Sequence, residues 1–267
     1  MGFGVQLVIH PLYAVERDAS GALTQVSDPV AGKKLESWIH IETERITDPE
    51  RLKTLAHNLE KLLADVRMAV ADWKPMVARI DETLASMAGA AKAVPLEELD
   101  EARDFLRWMT DSHFTFLGCR DYALREENGK DQLYMVPKSG LGILRHPEEG
   151  GESKSFSELP AEIRALARRP NLLVLTKANS RSTVHRAGYL DYIGVKRFDD
   201  HGKVVGERRF IGLYTSSTYH ADPREIPLLR KRIAAVMARS GFPATSHAGK
   251  NLVAILDAYP RDELFQI

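Results

Sequence analysis

One cysteine, Cys119, in 267 residues cannot form an internal disulfide or a cysteine-cluster metal site. Such sparse use fits a reducing compartment, so a cytoplasmic location is expected. An excess of either charge is also lacking. The 37 Lys and Arg are offset by 37 Asp and Glu, which leaves no overall basic field to attract nucleic acid. A net charge of zero favours self-association instead, and a homo-oligomer is expected. No apolar run approaches the roughly 18–20 residues of a membrane span, and the opening "MGFGVQLVIHPLYAVERD" lacks the basic and apolar regions of a signal peptide. No membrane partner is therefore expected.

Motifs for common chemistries are missing as well. "SGLGIL" supplies Gly140 and Gly142 but no third glycine and no helix after them, so it fails the dinucleotide fingerprint. "SHAGKN" has a Gly-Lys pair without the upstream glycine of a phosphate loop. There is no Gly-x-Ser-x-Gly elbow and no His-Glu-x-x-His. The 9 histidines are scattered singly, whereas metal sites need ligands brought together. No catalytic, cofactor-binding or metal-ligating residue is assigned.

What is present begins with strand-like sequence. "VQLVIHPLYAVERD" is rich in β-branched and aromatic residues, with Pro11 marking an edge or a bulge. "ESWIHIETERI" alternates, placing His40 and Glu42 on one face. Asp48 and Pro49 then open a long helix as N-cap and first-turn residue. Its apolar residues recur in steps of three and four from Leu52 to Met87, and Pro75 is expected to kink or split it. The small-residue stretch "AGAAKAVP" (88–95) reads as a linker and domain boundary. Beyond it come a short amphipathic helix, several hairpin-like strands, and two closing helices, the first stopping at Gly241. Hairpin signals dominate and regular strand–helix alternation is absent. The expected class is α+β, with antiparallel sheets and flanking helices.

Two places could carry chemistry. In "DSHFTFLGCRDYAL", His113 sits where a helix hands over to a strand and Cys119 lies within that strand, opposite in direction to Arg120. A capping or packing histidine and a buried thiol fit that setting better than a nucleophile and its base. The densest polar stretch is "TKANSRSTVHRAGYLDY", where Lys177, Ser180, Arg181, Ser182, Thr183, His185 and Arg186 follow an apolar strand. Guanidinium groups and hydroxyls grouped in this way suit a carboxylate or phosphate effector. The alternatives are a solvated strand edge or an intersubunit contact.

"FLRWMTDSHFTFLGCRDYAL", "KANSRSTVHRAGYLDYIGVKRFD" with "GERRFIGLYTS", and the closing "YPRDELFQI" together resemble the N-terminal region of the large bacterial NAD-specific glutamate dehydrogenases. Nearly the whole chain is covered, in the family's order and spacing. The resemblance implies a much longer parent that converts L-glutamate, NAD and water to 2-oxoglutarate, ammonia and NADH. It implies a non-catalytic regulatory and assembly segment here, built of ACT-like and PAS-like modules, or alternatively a purely structural oligomerisation module. A partial ACT-like sheet is expected over 1–47, a long helical segment and linker over 48–94, and a PAS-like domain with C-terminal helices over 95–267. Its partners would be the rest of the parent polypeptide, further copies of itself, and an amino-acid or carboxylate effector. NAD would bind elsewhere in the parent, so no cofactor is expected in this segment. The chain reads as an excised piece, an ACT-like unit lacking its first strand and helix.

Overall fold

A computed structural model describes residues 4–265 and confirms an α+β protein with antiparallel sheets. The chain divides into two compact units, residues 1–59 and 60–267. In the first unit, the strands are β1 (Val5–Ile9), β2 (Leu12–Arg17), β3 (Leu23–Ser27), β4 (Leu35–Ser37) and β5 (His40–Thr43). β1 pairs with β5, while β2 lies between β3 and β4. Pro11 falls in the break between β1 and β2, where its missing amide costs no ladder bond. The β2–β3 turn is closed by Asp18, whose carboxylate accepts from the Ser20 and Ala22 amides at 2.9 and 3.0 Å, and by Gly21 at φ +86°. Arg17 grips Glu36 through two parallel bonds of 2.9 and 2.8 Å. His40 and Glu42 share a face and meet at 3.2 Å. Among the described residues of this unit, Ala14 and Val15 are the buried apolar ones, whereas Val5, Val8, Ile9, Ile39 and Ile41 are about half exposed or more.

The long helix α1 runs Pro49–Ser86. Asp48 caps it, accepting from the Glu50 amide at 2.9 Å. Pro75 does not split it. A proline removes one intrahelical bond, and here Met76 and Ile80 are fully packed just beyond it. The buried face also differs from the apolar stripe. It comprises Ala69, Asp72, Met76, Ile80 and Thr83, while Val70 and Trp73 point outward. Asp72 belongs inside because it accepts from the Gly142 amide at 2.7 Å and from Arg145 Nε at 3.1 Å.

The second unit continues with α2 (Leu96–Trp108), β6 (Phe114–Glu127), β7 (Lys130–Met135), β8 (Leu141–Gly142), β9 (Gly151–Glu152), α3 (Lys154–Ser157), α4 (Ala161–Ala165), β10 (Leu173–Arg181), β11 (Tyr189–Phe198) and β12 (Val204–Tyr214). Four helices close it: α5 (Ser216–His220), α6 (Leu229–Ser240), α7 (His247–Ala258) and α8 (Arg261–Leu264). The strands form one seven-stranded antiparallel sheet, ordered β10-β11-β12-β6-β7-β9 with β8 also on β6, curled into a half-barrel. Residues 88–95 lie inside this unit, with Ala90 and Val94 buried in its core.

On one sheet face, Cys119, Ile193, Val195 and Phe210 pack against Met76 and Ile80 of α1, Phe105 and Leu106 of α2, and Ile233 and Leu256 of α6 and α7. Asp121 and Arg208 lie on the same face as a bidentate pair at 2.6 and 2.8 Å. Arg208 reaches on to Thr83 Oγ1 at 3.1 Å, tying the central strands to α1. His113 fulfils its expected framework role. Its Nδ1 contacts the Trp108 carbonyl at 2.9 Å, its ring stacks on Trp108 at 4.4 Å, and its own carbonyl accepts from Thr215 and Thr218. Gln266 and Ile267 of the closing "YPRDELFQI" lie outside the described residues. Within it, Phe265 stacks on Tyr214 at 5.0 Å and meets Phe105 edge-on at 5.3 Å. Arg261 holds that corner by donating to the Ala221, Asp257 and Tyr259 carbonyls at 2.8–3.0 Å.

Truncating Phe265 to alanine should cost about 3–5 kcal/mol, as for other buried aromatics. The check is a lower urea midpoint at unchanged denaturant slope. A second outcome concerns Cys119, fully buried, whose thiol is pushed up to about 12 by burial, with Asp121 adding to the shift. A raised folded pKa stabilises fully below the unfolded value near 9 and loses that contribution as pH rises towards 12. Alkylation of the native chain at pH 8 should therefore run at least about a thousandfold slower than in denaturant, the protection of a core site. Comparable rates would contradict this burial.

Candidate functional site

The sheet face opposite the helices is where polar groups and open space coincide. Period-two alternation brings Tyr122 of β6, Tyr192 and Lys196 of β11, and Glu207 and Arg209 of β12 onto this face. The neighbouring residues Asp121, Ile193 and Arg208 point the other way, to the helices. Arg209 lies between two aromatic rings, 4.0 Å from the Tyr122 centroid and 4.7 Å from that of Tyr192. Its Nε donates to Glu207 Oε1 at 3.3 Å, and the Tyr192 hydroxyl donates to the same oxygen.

The position of Glu207 depends on Gly194. A Cβ there would stand 2.7 Å from the Glu207 carboxyl carbon and 3.0 Å from the Tyr192 ring, so any larger residue would displace the carboxylate. Burial raises the Tyr192 hydroxyl well above its ordinary value, with Glu207 adding to the shift. Arg209 is held above its usual range because Tyr192 and Glu207 outweigh the opposing effect of burial. The Tyr192 hydroxyl and Arg209 therefore both keep their protons and donate to one oxygen of Glu207.

Lys196 fastens a cover over the same face. Its ammonium donates to the Leu166 and Arg169 carbonyls at 2.8 and 2.7 Å and to Asn171 Oδ1 at 2.7 Å. Burial pulls it down to about 8, against the attraction of Glu207. On the other side, Arg120 donates to the Leu144 carbonyl, and the Asp121 amide bonds Ser139. Between sheet and cover lies a cavity of about 1010 Å³. Its walls are mainly apolar, with Leu124, Leu133, Met135, Phe156, Val174 and Ile211 among them. This combination of concavity, apolar wall and a few placed polar groups is characteristic of small-molecule sites.

The seven polar residues singled out between 177 and 186 do not converge on one point. Lys177 is engaged by Asp191 and Asp262, both at 2.6 Å. Arg181 lies over the Tyr189 ring at 5.5 Å. Ser182 is buried and donates to the Val184 carbonyl, while Thr183 donates to Asp65 at 3.1 Å. His185 is exposed at a turn position with φ +67°. Arg186 donates to the Tyr214 carbonyl at 3.0 Å and lies over the Tyr219 ring. Lys177 and Ser180 do border the cavity.

The residues that sequence reasoning passed over are Tyr122, Tyr192, Lys196, Glu207 and Arg209. One signal was present: "VVGERRFIGLY" places charges in the middle of an apolar strand, which requires each to find a partner. Among the described residues, no group of three or more His, Cys, Asp or Glu stands together in a way that could hold a metal ion. No helix among them is long and apolar enough to cross a membrane.

Comparison with known proteins places these features. Residues 1–59, the whole first unit, match the family model described as glutamate dehydrogenase, ACT1 domain. Residues 226–267, which include α6, α7 and α8, match glutamate dehydrogenase, helical motif 1. The chain is 36% identical over 271 residues to an NAD-specific glutamate dehydrogenase of Halomonas elongata, covering 100% of this chain and 17% of that protein. It is 37% identical over 268 residues to one from Pseudomonas aeruginosa, covering 99% of this chain and 16% of that relative. A Mycobacterium tuberculosis NAD-specific glutamate dehydrogenase is 29% identical over 273 residues, again with 100% of this chain and 16% of the relative. The chain thus spans about one sixth of the length of the curated relatives it matches. The family models and the relatives together support a place for the chain in the N-terminal region of the NAD-specific glutamate dehydrogenase family.

Proposed function

We propose that the chain is a non-catalytic regulatory and assembly segment of an NAD-dependent glutamate dehydrogenase, whose full-length reaction converts L-glutamate, NAD and water to 2-oxoglutarate, ammonia and NADH. The carrying observation is the coincidence of the ACT1-matching sequence with a separate compact unit, within a chain that covers about one sixth of its relatives. NAD binds, on this proposal, to the rest of the parent, and the protein is cytoplasmic.

The exposed apolar strands β1 and β5 support assembly. Contiguous apolar surface of this kind marks a contact with another chain or domain, here the remainder of the parent polypeptide or a second copy. The PAS-like assignment of residues 95–267 is supported by their curled antiparallel sheet with flanking helices. An effector, an amino acid or other small carboxylate, would bind beside the 177–186 stretch or at an ACT-like interface. There it would exchange with the internal partners of Arg181 and Arg186, since both already rest on aromatic rings. The second reading is a purely structural oligomerisation module. It draws on the same internal pairing, which leaves few of these cations unengaged.

The purified chain should produce no NADH from glutamate and NAD. Glutamate-dependent NADH formation would overturn the non-catalytic assignment. Thermal melting against a panel of amino acids separates the two readings. A shift specific to one amino acid and lost in Arg181→Ala supports regulation, whereas indifference to the whole panel supports the purely structural module.

A further inference from the structure

The cavity under the Lys196-fastened cover has not been given an occupant, and its chemistry narrows the choice. At about 1010 Å³ it lies at the upper end of pockets that enclose drug-sized ligands, roughly 300–1,000 Å³. The wall residues Leu124, Leu133, Met135, Phe156, Val174 and Ile211 call for an extended apolar body. The floor holds Arg209, Lys196 and Glu207; of the other charged lining residues, Lys177 is neutralised by Asp191 and Asp262 and Lys154 is offset by Glu152, which leaves a single positive charge in excess. The hydrogen bonds of Lys196 are taken up by the cover, so it contributes charge and no donor. Arg209 differs. A guanidinium carries five N–H donors in a fixed fork. Its Nε is directed at Glu207 and one further bond is made with Tyr192, while two rings fix its plane. Among the described residues no other protein acceptor engages the remaining donors, an arrangement that suits one carboxylate.

We propose that this cavity binds an amphipathic monocarboxylate, with its carboxylate on Arg209 and its apolar body along the wall of β6, β7, β10 and α3. Dianions fit poorly, because Glu207 already occupies the floor and only one positive charge is in excess. A small polar zwitterion such as a free acidic amino acid would leave the apolar wall uncovered. Binding here is independent of the glutamate dehydrogenase proposal, since it requires only the second unit's own sheet and cover, of which β10 forms part.

The test is isothermal titration of the purified chain with decanoate, decanol and indole-3-acetate. Saturable binding of one decanoate or one indole-3-acetate per chain, at least tenfold tighter than decanol, is expected, and the preferred acid tells whether chain or ring is accommodated. Val174→Trp, which fills the wall, should abolish binding while the thermal midpoint without ligand is retained. Arg209→Lys, which keeps the charge and loses the fork, should weaken the acids at least tenfold and leave decanol unchanged. The proposal is overturned by no saturable binding of either acid, by equal affinity for decanol, or by undiminished binding in a folded Val174→Trp chain. None of these results bears on whether the chain produces NADH, so the functional assignment is judged separately.

Discussion

The bidentate pair between Asp121 and Arg208 sits at the centre of the seven-stranded sheet, and the second unit is organised around it. Both groups are buried, where removing one partner would strand a charge in a low-dielectric core, typically at a cost of about 3–5 kcal/mol. The pair therefore fixes register as much as it adds stability. A slip of one residue between β6 and β12 would send Asp121 to the opposite face and leave Arg208 without its buried bidentate partner. Because Arg208 also reaches Thr83, the same interaction sets where α1 crosses the strands. The Asp72 contacts with Gly142 and Arg145 hold the helix at a second point further along.

Once that register is set, the other face follows from alternation. Arg209, next in sequence to Arg208, must project away from the helices, and Glu207 shares its side. Two adjacent arginines thus serve opposite faces of one strand. One docks the helical layer, and the other stands on the floor of a large cavity between tyrosine rings. Gly194 lets the Glu207 carboxylate lie at this point, since a Cβ there would push it aside. The apolar wall beside these groups lowers the local dielectric, which strengthens the charge–charge and charge–aromatic contacts made there.

The two units contrast in how they satisfy apolar sequence. The second buries a continuous core from Met76 to Phe265, and its closing residues are integral to it through the Tyr214–Phe265 stack and the Arg261 carbonyl contacts. The first, matched by the ACT1 family model, leaves most of its β-branched residues outward. Short strands of this kind gain stability mainly from being covered, which is the physical basis for proposing a role in assembly for that unit. The family relationship supplies the candidates for what covers it.

Local chemistry was legible from the residues themselves. The Asp48 cap, the Gly241 helix stop, the β11–β12 hairpin and the framework roles of His113 and Cys119 all depend on neighbours within a few positions, and distinctive strings carried the family resemblance. The α+β class followed from hairpin signals in the same way. Two features were not legible. The apolar stripe of α1 suggested a buried Val70 and Trp73, yet Asp72 lies inside because its partners, Gly142 and Arg145, are some seventy residues away in sequence. Likewise the cations between 177 and 186 looked like a cluster in one dimension, but strand alternation and the turn send them to separate partners. The sequence by itself determined which segments would be helix or strand and which family they came from, because those properties arise from short-range patterns. Only the tertiary structure decided which charges meet, since pairing Tyr122, Tyr192, Glu207 and Arg209 across three strands depends on a register that no local pattern encodes.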